Sequence, residues 1–361
     1  MTTLAAETHA QPAAVAASET KASVRMAAAV RGWVWTIVLL TVAMVAVGGA
    51  TRLTGSGLSI TEWKPVTGAI PPLSSEAWIA EFEKYRGIDQ YRLMNAGMSL
   101  AEFQVIYWWE WGHRQLGRLL GLAFFIPLVF FWLKGAVKTP LALTLVGIGA
   151  LGGLQATVGW IMVASGLEPG MTAVAPIKLT AHLTIATLIL ALLTWVAVGL
   201  SPRQRAPASP AVARGAKILL GLLVFQIALG GLVAGSRAGF TFNTWPLMDG
   251  GFAPPLATLF VVEPFIENFV DNVALVQLNH RLVAYALLGF ALWHAVAAWR
   301  AGPGSSAGKR AVALAGMTTA QAALGIVTLL LVVPLWAGLA HQVLAFLILI
   351  MAVAHVRASR A

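Results

Sequence analysis

Seven histidines and no cysteine set the limits of the chemistry this chain of 361 residues can carry. Disulfides, thiolate ligands and cysteine nucleophiles are excluded together, so any metal must take histidine, methionine or oxygen ligands. Four of the histidines, His113, His182, His280 and His341, each stand at the outer end of a long apolar run. A polar ring at membrane depth is costly and usually faces the interior of a helix bundle. Two imidazoles converging across four helices, beside glycine-rich neighbours that admit a flat macrocycle, are what a bis-histidine haem iron requires. Zinc or copper is the competing metal reading, but two histidines per bundle with few carboxylates undersupply those ions. For one such histidine a packed, hydrogen-bonded core residue is an equal alternative; four at matching positions weaken it. His9, His294 and His355 have no counterparts in the repeat described below and are expected to be structural or solvated.

Around the four rings the sequence is unequal. Glu110 precedes His113 by three residues, whereas Gln277 holds that place before His280. A side chain at i minus 3 shares a helical face with the ring, so only the first pocket has an acid or base beside its ligand. This predicts a pocket that does chemistry and a second that holds a permanent redox cofactor. The bland alternative makes Glu110 an interfacial acid within the aromatic belt Tyr107, Trp108, Trp109 and Trp111. Arg114, Arg118 and Arg281 lie beside the ligands, where guanidinium groups suit haem propionates or snorkel to phospholipid headgroups.

The elements that must position these residues are membrane helices. With 58% hydrophobic and 11% charged residues, the chain has too little polar material to coat a soluble globule. A span needs roughly 20 apolar residues to cross about 30 Å of hydrocarbon. Eight runs qualify, near 33–51, 115–133, 140–163, 180–199, 216–235, 281–299, 311–333 and 338–356. The net charge of +10 is scattered over short loops in a way that fits membrane topology rather than nucleic acid. With the N-terminus inside, that side collects Arg25, Arg31, Lys134, Lys138, Arg214, Lys217, Arg300, Lys309 and Arg310, while most acids lie in two long outer loops, 52–112 and 236–279. The expectation is a multi-pass membrane protein with both termini cytoplasmic. Residues 1–31, rich in Ala, Ser and Thr, are expected to form a disordered cytoplasmic tail rather than a signal peptide.

The chain also repeats itself. Gly48 and Gly49 answer Gly230 and Gly231; His113 and Arg114 answer His280 and Arg281; Gln155, Ala156 and Gly159 answer Gln321, Ala322 and Gly325; AHLTIATLIL from Ala181 answers AHQVLAFLIL from Ala340. Four spans per copy is an even number, so both copies keep one orientation and should be related by a pseudo-two-fold axis along the membrane normal. The predicted fold is all-α: two four-helix bundles, 32–200 and 216–357, joined by a proline-rich cytoplasmic linker at 201–215 and capped by the two outer loops.

At this point the motifs carry a resemblance. GGATRLTGSGLSITEWKPVTGAIPP after the first span, EWGHRQLGR at Glu110, FNTWPLMDG from Phe242 and LNHR at Leu278 are similar to haem A synthases of the proteobacterial and mitochondrial kind, over nearly the whole chain from residue 32. The resemblance implies an enzyme that converts haem O to haem A for terminal oxidases. It further implies that His113 and His182 receive haem O with Glu110 as catalytic carboxylate, and that His280 and His341 ligate haem b. Haem O synthase, a protohaem farnesyltransferase, is then the implied donor of substrate, and an unidentified acceptor must take the electrons; a homo-oligomer is compatible with all of this. Some members carry cysteine pairs in their outer loops, which this chain lacks.

The implied reaction oxidises a methyl group to an alcohol and then to an aldehyde. With both axial positions of the substrate iron taken by histidine, dioxygen has no vacant site, so electron removal followed by attack of water is the favoured route. Glu110→Gln is expected to spare folding and haem binding and to stop product. The rival from another class is a non-enzymatic dihaem electron carrier of cytochrome b type, which would use both pockets identically. A transporter is disfavoured because no span is charged in its middle.

Overall fold

A computed structural model describes residues 10–202 and 207–360; for 10–22 it describes backbone alone. Eight helices are long and apolar enough to cross a membrane. In chain order the elements are α1 (Ala10–Leu53), the short outer helices α2 (Ser75–Arg86) and α3 (Asp89–Met94), then α4 (Leu100–Leu133), α5 (Thr139–Gly166), α6 (Pro176–Gly199), α7 (Pro210–Gly235), α8 (Leu256–Leu259), α9 (Val273–Ala301), α10 (Ser306–Leu330) and α11 (Leu335–Ala358). Among the described residues there is no strand beyond one isolated bridge between Met248 and Gly251.

Three boundaries differ from the sequence reading. Helix α1 starts at Ala10, so residues 10–31 of the expected disordered tail are helical backbone; this stretch is alanine-rich and alanine is the best helix former. Residues 1–9 lie outside the described ones. Helix α7 starts at Pro210, inside the expected linker, with Pro at its first position and the Ser209 hydroxyl accepting from the Val212 N–H. Helix α4 begins at Leu100, well inside the expected outer loop. A capping box starts it: the Ser99 side chain accepts from the Glu102 N–H, and the Glu102 carboxylate accepts from the Ser99 N–H. This outward extension buries Phe103, Ile106 and Tyr107 against Trp78, Phe82 and Tyr85 of the α2 cap, so the first outer loop folds as an aromatic-cored lid.

Helix α1 packs on α4 and α6, and α5 on α4 and α6; in the second half α9 packs on α7 and α10, and α11 on α7 and α10. Helices α1, α6, α7 and α11 form the seam between the halves. Two glycine doublets make this seam close. The first glycine of each, Gly48 or Gly230, faces a histidine of its own half. The second, Gly49 or Gly231, faces the opposite half: a Cβ on Gly49 would overlap the Gln342 side chain, and one on Gly231 would lie 3.1 Å from the Thr180 hydroxyl. Gln342 also donates to the Val45 carbonyl (3.1 Å), and Arg52 donates to the Ala234 carbonyl (2.7 Å), tying the halves at the outer end.

Candidate functional site

Each of the four repeat histidines sits against a glycine of a neighbouring helix. A Cβ built on Gly48 would come 2.9 Å from the His113 ring, on Gly159 2.9 Å from His182, on Gly325 2.8 Å from His341, and on Gly230 3.4 Å from His280. Glycine is what lets these helices approach the rings. His113 and His182 lie within electrostatic range of each other, as do His280 and His341.

Above each pair an acid-or-amide and an arginine clamp the outer loop. Glu110 is 2% exposed. Its Oε2 accepts from the Ser59 hydroxyl and the Ile60 N–H, both at 2.8 Å, while Oε1 accepts from Arg114 at 2.6 Å. Arg114 reaches on to the carbonyls of Ile60 and Glu62. In the second half Gln277 donates through Nε2 to the carbonyls of Ala238 (2.7 Å) and Thr241 (2.6 Å), and its oxygen accepts from Arg281 at 3.0 Å. Arg281 donates to the Phe242 carbonyl at 2.7 Å. Arg118 holds the carbonyls of Lys64 and Pro65. All three arginines thus bind loop backbone.

The whole chain is similar to known proteins. The family described as COX15-CtaA, cytochrome oxidase assembly protein, matches residues 31–353. A protein named Heme A synthase from Methylobacterium sp. (strain 4-46) is 66% identical over 347 residues, covering 96% of each chain. Proteins of the same name from Beijerinckia indica subsp. indica and Brucella ovis are 50% and 48% identical, covering 98% and 92% of this chain and 95% and 92% of their own lengths. The chain belongs to the haem A synthase family.

For a member of the haem A synthase family, the polar atoms around the rings suit a porphyrin. The side-chain oxygens of Gln155, Gln226 and Gln321 are buried without partners, as are His182 Nδ1 and Arg281 Nε. An imidazole whose one nitrogen binds iron needs an acceptor for the N–H on the other, and a glutamine oxygen supplies it. An unpartnered guanidinium N–H beside the ring suits a propionate. Here it is the amide nitrogens that face the rings: Gln226 Nε2 lies 3.0 Å from His280 Nδ1 and Gln321 Nε2 lies 3.2 Å from His341 Nδ1, each also donating to that histidine's carbonyl, which leaves the oxygens as the unpartnered ends.

Sequence reasoning missed Ser59 and Ile60, which hold Glu110 across 51 and 50 residues of chain. It also missed the state of His294 and His355. They are 1% and 0% exposed, and their Nε2 atoms lie 3.0 Å apart, with Arg310 donating to His355 Nδ1 at 3.4 Å and Phe290 stacked on His294. They are structural and not solvated. Their spacing of 14 residues from His280 and His341, on the same two helices, was the available signal.

Proposed function

We propose that this chain makes haem A by oxidising one methyl group of haem O to a formyl group through a hydroxymethyl intermediate. In the first oxidation the methyl gives up two electrons and one proton, and the water that supplies the hydroxyl gives up the second proton. In the second the alcohol gives up two more of each. The first half, 32–200, would bind haem O through His113 and His182, with Arg114 and Arg118 shaping the roof of the pocket. The second half, 216–357, would bind haem b through His280 and His341, with Arg281 toward its propionates. When bound, haem b supplies one-electron relay to an acceptor.

The observation that carries this reading is the difference between otherwise duplicated pockets. Glu110 is a buried carboxylate paired with Arg114, where the second half has the neutral Gln277. A fixed negative charge in a site shielded from water stabilises positive charge developing on a methyl carbon, and costs no reorganisation when it does. Loosening the Ser59 or Ile60 contact would free the same oxygen to take the methyl proton. An electron carrier with two equivalent haems has no use for such inequality. The family's membrane helices and basic short loops support an inner-membrane protein with cytoplasmic termini, receiving haem O from a haem O synthase.

The test is purification from cells that supply haem O, followed by chromatography and mass analysis of every bound haem. Haem A together with haem b is the expected result. Haem b alone in both pockets would favour the dihaem carrier of cytochrome b type and overturn the reading.

A further inference from the structure

The glycine and histidine contacts put all four rings in one register, and in that register the surroundings of one ring are built differently. Four residues before each contacting glycine, on the same helical face, stands Gln155 before Gly159, Gln226 before Gly230 and Gln321 before Gly325, but Met44 before Gly48. Four residues after each histidine stands Ala186, Ala284 or Ala345, but Gly117 after His113. The two departures meet: a Cβ on Gly117 would lie 3.4 Å from Met44 Cε, so the missing methyl of Gly117 leaves the room the thioether chain fills.

The chemical consequence falls on His113. Gln226 grips His280 twice, at the ring and at the main-chain carbonyl (3.0 Å), and Gln321 grips His341 the same way (2.9 Å to the carbonyl). Among the described residues no hydrogen bond reaches the His113 ring, and a thioether has no N–H with which to grip a ring and its main-chain carbonyl as Gln226 and Gln321 do. An outer partner fixes the orientation of a ligating ring, and losing such a partner typically lowers metal affinity 10–100-fold.

We propose that Met44, with Gly117, is a positioning residue that makes His113 the releasable ligand of the substrate haem. This rests on the assignment of the first pocket to haem O. The two imidazoles gripped by a glutamine, His280 and His341, hold what must stay, and His113, with a thioether in the glutamine's place, opens for a porphyrin that must enter as substrate and leave as product.

Carbon monoxide binding to the reduced, purified, haem-loaded enzyme reads this directly, because CO takes an axial position only when an imidazole leaves. In the wild type, CO should bind one of two haems, and H113A should bind it without delay. M44Q/G117A, which rebuilds the residue pattern around the other three histidines, should slow CO binding about tenfold or more while haem content stays at two per chain. The reciprocal Q226M/A284G should make the second haem CO-reactive. Unchanged CO kinetics in both double variants, with two haems present, would overturn the role of Met44 and leave the pocket assignment standing. A wild type whose haem content is unaffected by H113A and H182A would instead refute the first-pocket assignment, and the proposal with it. M44Q alone separates the amide from the added methyl: slow CO binding there assigns the effect to the side chain at 44, and unchanged binding refutes it.

Discussion

The roofs of the two pockets are built on one plan with opposite polarity. In the first, Glu110 can only accept, and the loop turns a hydroxyl and an N–H toward it; in the second, the Gln277 amide donates, and the loop turns two carbonyls toward it. Arginine four residues on completes both. Because each loop is folded to suit its own side chain, exchanging the residue at either position mismatches donors and acceptors as well as charge. The difference between Glu110 and Gln277 is therefore written into 54–61 and 236–242 too, and is a property of each whole roof.

That comparison breaks most completely at Glu110. Glu110→Gln removes the charge proposed to assist methyl oxidation and turns an amide N–H toward one of the donors now bonded to Glu110. Haem A formation should cease, and leaving the part-buried Arg114 beside a neutral partner should cost about 1.5–3 kcal/mol. Protease sensitivity of the first outer loop, measured beside haem A yield, checks both; the expectation that folding is untouched is revised by the Ser59 and Ile60 contacts. Next comes Gln277→Glu, which sets a carboxylate against the Ala238 and Thr241 carbonyls. Loss of haem b on mild heating, at temperatures the parent tolerates, is the expected result.

The glycine contacts sharpen the same comparison in graded form. Gly325→Ala places a Cβ 2.8 Å from the His341 ring and should shift the haem b absorption bands or empty the site, whereas Gly230→Ala meets His280 at an ordinary 3.4 Å and should be mild. The smallest effect belongs to the exposed cluster above the first pocket. Lys64 and then Lys84 hydrogen-bond Glu62 and hold its carboxyl below the ordinary glutamate range. A depressed folded-state value means the contribution is complete above the unfolded-state value and fades as pH falls through the folded one. Since the carboxylate is 42% exposed, Glu62→Gln should alter thermal stability by only a few tenths of a kcal/mol, and less still below pH 4.

Much of this was legible in the sequence because it is local or repeated. Apolar length gave the eight spans, the duplication singled out His113, His182, His280 and His341 without any alignment, and i minus 3 spacing placed Glu110 beside His113. The partners of Glu110 were not legible, since hydrogen bonds across some 50 residues depend on how an irregular loop returns. The outward start of α4 was hidden because its aromatic stretch buries against a lid and not in lipid, which hydropathy does not distinguish. The His294 and His355 contact spans 61 residues and has no copy in the first half, so repetition could not flag it.

The glycine doublets have a consequence for how the halves communicate. Gly49 belongs to the helix that touches His113, yet what it touches is Gln342, the residue immediately after His341. Gly231 mirrors it, resting on Leu183 directly after His182. Each half thus leans on the turn that carries the other's proposed haem ligand, so an added methyl at residue 49 should register in the optical spectrum of the haem proposed for the far half before it registers in that of its own.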